Sequence, residues 1–237
     1  MKIFIRNAEL GDLENITKID SGAYSEIYSG PVGSEKIMEK RIKLSRGWFL
    51  VAVINGGVVG YLSLQPTNVG VGNFKSWDQS TDNGTLQKTF DLSGKYVYGV
   101  ALTISSEYQR MGISEKLFAK AAKKIISEEK EYVYFSGRMP GFSKYSQKMT
   151  PEAYYNKRIV RNGREVPLDP QIRMYESYGF QKVRLVKDGF VGDKESCDYS
   201  VIFQIKNPFL GYPFPRLLGT ISEVIFNNKF LSKFFLS

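Results

Sequence analysis

Histidine is missing altogether from this chain, and cysteine occurs once, at Cys197. The first absence removes Ser-His-Asp and Cys-His nucleophilic catalysis, histidine-bearing zinc sites and any histidine general base. The second removes an internal disulfide framework and cysteine-rich zinc sites, and leaves a lone thiol of the kind expected in a reducing, cytoplasmic compartment. No metal is expected. No apolar run is long enough to cross a bilayer. Met1-Lys2-Ile3-Phe4 leads straight into a short apolar strand, so no secretory leader is expected either. Acid–base chemistry is left to Asp, Glu, Tyr, Lys, water or a chain terminus.

What is present is ordinary in bulk. The chain has 237 residues, 42% of them hydrophobic and 24% charged, which suits one large globular domain or a domain with an appendage. Its formal net charge of +9 fits a polyanionic ligand, whether a coenzyme, a nucleic acid or an anionic membrane. The basic residues are scattered and no nucleic-acid motif is recognisable, which argues against nucleic acid.

The most informative stretch runs from Tyr96 to Lys130. The apolar run Tyr96 to Ile104 reads as a buried strand, followed by the polar corner Ser105 to Tyr108 and the hexapeptide Gln109-Arg110-Met111-Gly112-Ile113-Ser114. Leu117, Phe118, Ala121, Ala122, Ile125 and Ile126 then recur at helical spacing. A strand, a tight turn and a helix leave the first backbone N–H groups of the helix unpaired, with the positive end of its dipole behind them. Small residues at Gly112 and Ser114 let an anion approach, so a phosphate group is expected there. Neither the Walker spacing nor the three-glycine dinucleotide pattern is present.

Around that unit, Ile3 to Ile5 predict a strand, Glu9 to Ala23 a helix, and Ser34 the cap of a second helix carrying Ile37, Met38 and Ile42. Trp48 to Ile54 and Val58 to Leu64, joined at Asn55-Gly56-Gly57, predict a hairpin. Pro66 to Lys95 is polar and long for a loop, hence mobile or functional. Glu131 to Ser136 predicts a further strand. Asp169-Pro170 is a good N-terminus for a helix that stops at Gly179, and Phe180 opens a strand that pairs with Tyr199 to Lys206.

Gln109-x-x-Gly112-x-Ser114 resembles the pyrophosphate loop of the GNAT superfamily of N-acetyltransferases, Gln/Arg-x-x-Gly-x-Gly/Ala, with Ser114 standing where Gly or Ala is usual. The run Tyr175-Glu176-Ser177-Tyr178-Gly179-Phe180 resembles that family's Tyr-x-x-x-Gly-Phe helix, and the element order agrees. The resemblance implies an α/β (α+β) fold: a mixed, largely antiparallel twisted sheet flanked by helices, with a helical insertion and a C-terminal helical tail. It covers residues 1–207, with the tail at 208–237. It implies acetyl-CoA (acetyl-coenzyme A) as cosubstrate, held by Leu102, Thr103, Ile104, Gln109, Arg110, Met111, Gly112, Ile113 and Ser114. The acceptor would be a small-molecule or peptide amine that attacks the thioester directly. A backbone N–H between Ala101 and Ile104 would polarise the thioester carbonyl, and Tyr175 would serve as acid to the departing thiolate. The strand Tyr96 to Ile104 carries no carboxylate, which leaves Asp91, Glu26 or a water chain open as the base.

The basic, aromatic insertion 137–168 reads either as a lid over the acceptor site or as a solvated helical insertion, with a helix from Pro151 to Val160, and Arg138 and Tyr145 are its substrate-site candidates. A narrower resemblance runs from Ser136-Gly137-Arg138-Met139-Pro140 through Asp193-Lys194-Glu195-Ser196 to Asn207-Pro208. It is to long acetyltransferase domains, some of which are fused to nitrilase-type hydrolases. The chain ends at Ser237, so no hydrolase is expected. In the tail, Leu217, Leu218, Ile221, Val224 and Ile225 mark one face of a helix, followed by Phe230, Leu231 and Phe234 to Leu236. This tail would pack on its own domain, join a homodimer or lie on a membrane surface, in that order. Two other readings stay open: a coenzyme-binding module without turnover, and a basic protein of membrane or nucleic-acid surfaces.

Overall fold

The structure, a computed structural model, describes residues 2–24 and 33–227. Its elements are β1 (Phe4–Asn7), α1 (Leu13–Tyr24), α2 (Glu35–Leu44), β2 (Phe49–Ile54), β3 (Gly57–Thr67), α3 (Trp77–Thr81), β4 (Tyr96–Ile104), α4 (Ile113–Ser127), β5 (Tyr132–Arg138), α5 (Pro151–Asn156), β6 (Arg158–Arg161), β7 (Arg164–Pro167), α6 (Pro170–Ser177), β8 (Gln181–Val186), β9 (Ser200–Lys206) and α7 (Pro215–Asn227). Seven strands form one sheet in the order β1-β2-β3-β4-β5-β9-β8, and β6 and β7 form a separate hairpin.

Within the large sheet only β4 and β5 run parallel. A parallel neighbour needs a crossover, and α4 supplies it. The amphipathic pattern of α4 lays Ile113, Leu117, Ala121 and Ile125 on one face of the sheet, against Leu50, Leu62, Val97 and Phe135. On the other face, α1 and α2 bring Ile16, Met38 and Ile42 onto Phe49, Val51 and Tyr61. Burying each such side chain is worth roughly 1.5–3 kcal/mol, so these two layers carry the fold.

The β2–β3 hairpin turns at Asn55 and Gly56, both at positive φ, as a two-residue turn between right-twisted strands requires. Asp169 caps α6 by accepting from Gln171 N at 2.8 Å and Ile172 N at 3.1 Å. Ser34 also stands at an N-cap, before α2, but its side chain makes no capping bond.

Three expectations are revised in part. Of the two readings of the segment after β3, mobile or functional, the first fails: Phe74, Trp77 and Leu86 pack with Tyr98, Val100 and Tyr134 in a core of their own. The insertion helix stops at Asn156 instead of Val160, because the chain reverses at Asn162-Gly163, both at positive φ, and Arg158 to Arg161 pairs with Arg164 to Pro167. The tail helix α7 does pack on its own domain, against α4, but through its small residues. Gly219 lies so close that an added Cβ would meet Lys123 O at 2.6 Å, and Glu223 pairs with Lys123 at 3.0 Å. Leu217, Ile221 and Val224 are left exposed. Phe230 to Leu236 fall outside the described residues. Among the described residues, no helix is long and apolar enough to cross a membrane.

Candidate active site

Two departures from regular pairing open the centre of the sheet. The β4–β5 ladder stops at Gly99 and Phe135, although β4 runs on to Ile104 beside β3 and β5 runs on to Arg138 beside β9. The two strands splay from that point. In β4, Ser63 faces Ala101 while Leu64 faces Gly99, so Val100 is an extra, bulged residue. Its carbonyl is taken by Trp77 Nε1 at 2.9 Å.

A cavity of about 540 Å³ fills the splay. Its floor is Gly99 to Leu102 and Ile104 of β4 with Phe135, Ser136 and Arg138 of β5. One end is walled by Gln109, Arg110, Ser114 and Glu115, where α4 begins, and by Tyr178. The other end is walled by Asp20 and Tyr24 of α1, Arg41 of α2, Trp77 and Asp78 of α3, and Phe190 with Val191.

At the α4 end, Gly112 takes φ +77° and ψ 19°, a left-handed turn that costs glycine little, and it offers no side-chain cap to the helix. The first N–H groups of α4 therefore start a helix without a side-chain acceptor. Arg110 is also left-handed, at φ +63°. Ser114 Oγ bonds Tyr178 Oη at 2.8 Å and Glu115 Oε2 at 3.0 Å, which ties α4 to the end of α6.

Tyr175 lines the cavity from α6. Its ring stacks on Phe203 at 4.4 Å and 19°, and Gly137 permits the approach, since an added Cβ would meet both rings within 3 Å. Burial, with a smaller influence from Tyr24, pushes the Tyr175 phenol far above its ordinary value and keeps it protonated.

At the other end, Asp20 is 2% exposed and accepts from the Tyr61 hydroxyl through Oδ1, while Oδ2 packs against Gly33 with no hydrogen-bond partner among the described residues. Burial pushes the Asp20 carboxyl up, opposed by the Tyr61 bond and the charge of Arg41. Arg138 is bound from outside the cavity: Nε and Nη2 grip Asp193 at 2.6 and 2.7 Å, and Nη2 reaches Glu195 at 2.7 Å. Burial pushes Asp193 up, but Arg138 and Ser196 together outweigh it and hold the carboxyl below its ordinary range.

Of the residues expected to meet the coenzyme, Leu102, Ile104, Gln109, Arg110 and Ser114 line the cavity. Thr103 is buried in the sheet opposite Tyr61, Ile113 is in the core, Gly112 forms the turn, and Met111 is exposed beside it. Arg138 is on the cavity wall; Tyr145 is not, and its ring packs against Tyr154 at 5.5 Å, tilted by 36°, within the insertion. Arg138 is the insertion's one contribution to the lining among the described residues, so the expected lid does not cover this cavity. Asp91 sits away from it in a turn, accepting from Ser93 N at 2.9 Å and Asn68 Nδ2 at 2.8 Å. Glu26 falls outside the described residues. Asp20, Tyr24, Arg41, Trp77 and Asp78 were not anticipated. The available signal was the row Ile16, Asp20, Tyr24, which puts a carboxylate on the buried stripe of α1.

Residues 13–146 match the acetyltransferase (GNAT) family. The chain belongs to that family. A Bacillus subtilis (strain 168) protein named uncharacterized N-acetyltransferase YkwB is 26% identical over 211 residues, covering 86% of this chain and 89% of that protein. Another protein of the same strain, named probable hydrolase YhcX, is 22% identical across 87% of this chain but only 39% of its own length, which is consistent with a shared domain fused to a further one. Among solved structures, the loading GNATL domain of CurA from Lyngbya majuscula superimposes with a TM-score of 0.74 at 17% identity, over 87% of this chain and 98% of that one, a likeness of fold.

Proposed function

We propose that this protein transfers the acetyl group of acetyl-CoA to a primary amine by direct attack. The observation that carries the reading is the opening of the uncapped start of α4 onto the same cavity as a protonated phenol and a buried carboxylate. The N-terminal amides of α4 with Gln109, Arg110 and Ser114 suit the pyrophosphate, because fixed N–H donors and the helix dipole both favour an anion there. The splayed edge of β4 offers backbone donors to the thioester carbonyl, an arrangement worth roughly 3–4 kcal/mol in other enzymes.

The amine nitrogen bonds to the carbonyl carbon as the carbon–sulfur bond breaks. One amine proton passes to the Asp20 carboxylate and one phenol proton passes from Tyr175 to the thiolate, giving an amide and free coenzyme A; after release, water takes the proton from Asp20 and returns one to Tyr175. A carboxylate with its pKa raised by burial is a better proton acceptor than an exposed one, while burial keeps the Tyr175 phenol protonated and makes it a weaker acid than an exposed tyrosine. The competing reading, a coenzyme-binding module without turnover, rested on the lack of a carboxylate along β4, and Asp20 weakens it. Mixing the protein with acetyl-CoA and a panel of polyamines, aminoglycosides, amino acids and peptide N-termini, and following thiol release, tests the proposal. Release with at least one amine is expected; coenzyme binding with no release from any would favour the module.

A further inference from the structure

α7 sits on its domain the wrong way round for an ordinary amphipathic helix. Its small residues Gly219 and Ser222 are buried where it packs on α4, while large apolar ones face solvent: Leu217 is 58% exposed, Ile221 46% and Val224 62%. Phe214, whose carbonyl accepts from Leu217 N and Leu218 N at the helix start, is 74% exposed. Leu210 and Tyr212, just ahead of it, are exposed as well. Apolar side chains scattered singly over a surface mean little, but a group of them gathered between Leu210 and Val224 marks a place of contact.

The spacing favours another helix as the contact. Phe214, Leu217, Ile221 and Val224 recur at intervals of three, four and three, the narrow seam by which one helix meets another and not the broad face of a helix lying on lipid. Charge agrees. The described part of α7 carries two charged side chains, Arg216 and Glu223, both roughly 120° or more round the helix from the middle of the seam. Glu223 is bound to Lys123 at 3.0 Å and to Lys120 at 3.5 Å, so those two lysines are already neutralised. A helix resting on an anionic bilayer draws on cations flanking its apolar face, and here Leu218, Thr220 and Ile225 stand in those places.

Area agrees too. With a whole aromatic side chain worth about 150–250 Å² and an aliphatic one somewhat less, the exposed group leaves on the order of 600 Å² open per chain. Two copies face to face would cover roughly 1,200 Å², the lower end of what a stable specific interface buries.

We infer that α7 is the contact face of a homodimer, its seam laid against the same seam of a second copy about a two-fold axis. An isologous interface must be self-complementary, and an uncharged row of apolar side chains meets that condition without any matching of charges. Whether the two helices run parallel or antiparallel, Ile221, in the middle of the seam, comes near its own copy. No residue of α7 in the described chain lines the cavity, so the inference stands apart from the acetyl-transfer reading.

The test is sedimentation velocity of the full chain at micromolar concentrations, where a species of twice the 26.9 kDa chain mass is expected. Leu217→Glu combined with Val224→Glu should weaken association by at least about 30-fold, the effect of losing a hot-spot contact, and should still melt as a folded protein because both side chains already meet water. Val160→Glu, at a site 76% exposed on the β6–β7 hairpin, should leave the dimer unchanged. In a Cys197→Ser background, Ile221→Cys should cross-link under mild oxidation and Val160→Cys should not. A wild type that is monomeric throughout, or a dimer that survives both substitutions on α7, would overturn the inference. So would a monomer that binds vesicles of phosphatidylcholine and phosphatidylglycerol and releases them in the double variant, which would give the face to a lipid surface. A monomeric wild type that dimerises once Phe230 and Phe234 are replaced by Ser would assign the seam to the chain's own last residues, and would overturn the inference equally.

Discussion

Tyr61 of β3 donates its hydroxyl hydrogen to Asp20 of α1, 41 residues away in sequence, and both side chains are buried where the helix meets the sheet. The bond anchors one carboxylate oxygen and so fixes the acid at the cavity wall. The cost is a carboxylate held where water cannot easily solvate its charge.

Asp20→Asn should lower kcat by about 100-fold or more, the usual range for removal of a general base, with coenzyme A affinity unaltered. The sign of the pH dependence follows from the raised pKa. Only ionised Asp20 accepts a proton, so wild-type activity should fall as pH drops through a value above the ordinary aspartate range. That acidic limb should vanish in the variant. Stability runs the other way: a raised folded-state pKa favours the protein while Asp20 is protonated, and the advantage is lost as pH rises through that pKa. Asp20→Asn should therefore melt no lower than wild type at neutral pH. A markedly lower melting point would make Asp20 a structural residue.

Tyr175→Phe keeps the stack on Phe203 and removes only the hydroxyl. Turnover should fall by about 100-fold while coenzyme A binding and melting temperature stay close to wild type. Pre-steady-state thiol release distinguishes loss of the chemical step from slowed product release; unchanged rates would end the assignment of Tyr175 as the acid.

Gly112→Asp puts a side chain at φ +77° and a negative charge beside the anion corner. The backbone strain costs about 1–2 kcal/mol, too little to unfold a domain of this size. Coenzyme A affinity by calorimetry should drop by at least about tenfold, with the folded spectrum retained. Equal affinity would move the pyrophosphate elsewhere.

Asp193→Ala strips the buried Arg138 of its two-bonded partner, which should cost about 3–5 kcal/mol in denaturant unfolding. The folded-state pKa of Asp193 is depressed. Its contribution is therefore complete above the unfolded aspartate value and lost as pH falls through the lower folded one. The gap between wild type and variant should narrow at strongly acid pH and hold steady above it.

The parts of this fold that declare themselves in sequence are those with one local cause. Asn55-Gly56 demands a tight hairpin, Asp169-Pro170 starts a helix, and the periodic row from Leu117 to Ile125 can only cover a sheet. Asn162-Gly163 carries the same turn signal as Asn55-Gly56, and the β-branched Ile159, Val160 and Val166 on either side favour the strands that form there, so the expected helix to Val160 ran against local cause. The site was half legible. The α4 end is a contiguous motif, so Gln109 to Ser114 could be read directly. The far end of the cavity is assembled from α1, α2 and α3, each giving one or two polar residues that look like isolated surface charges until the helices are packed. Ser34 shows the converse: the right residue in the right place, with its hydroxyl not engaged.

The bulge at Val100 has a bearing on how this protein tolerates change in chain length. Side chains alternate along a strand, so one surplus residue reverses every orientation after it. Val97 lies in the core beneath α4, and Leu102 and Ile104 join that same core, although they stand an odd number of places away. Deleting Val100 would remove that surplus and leave Leu102 and Ile104 an even number of places from Val97, on the same face of a regular strand, so the core would keep its residues while the bulge was lost. The bulge and the composition of the core layer are thus separable: a one-residue deletion at Val100 would straighten β4 at the cavity floor and leave the layer under α4 with the same side chains.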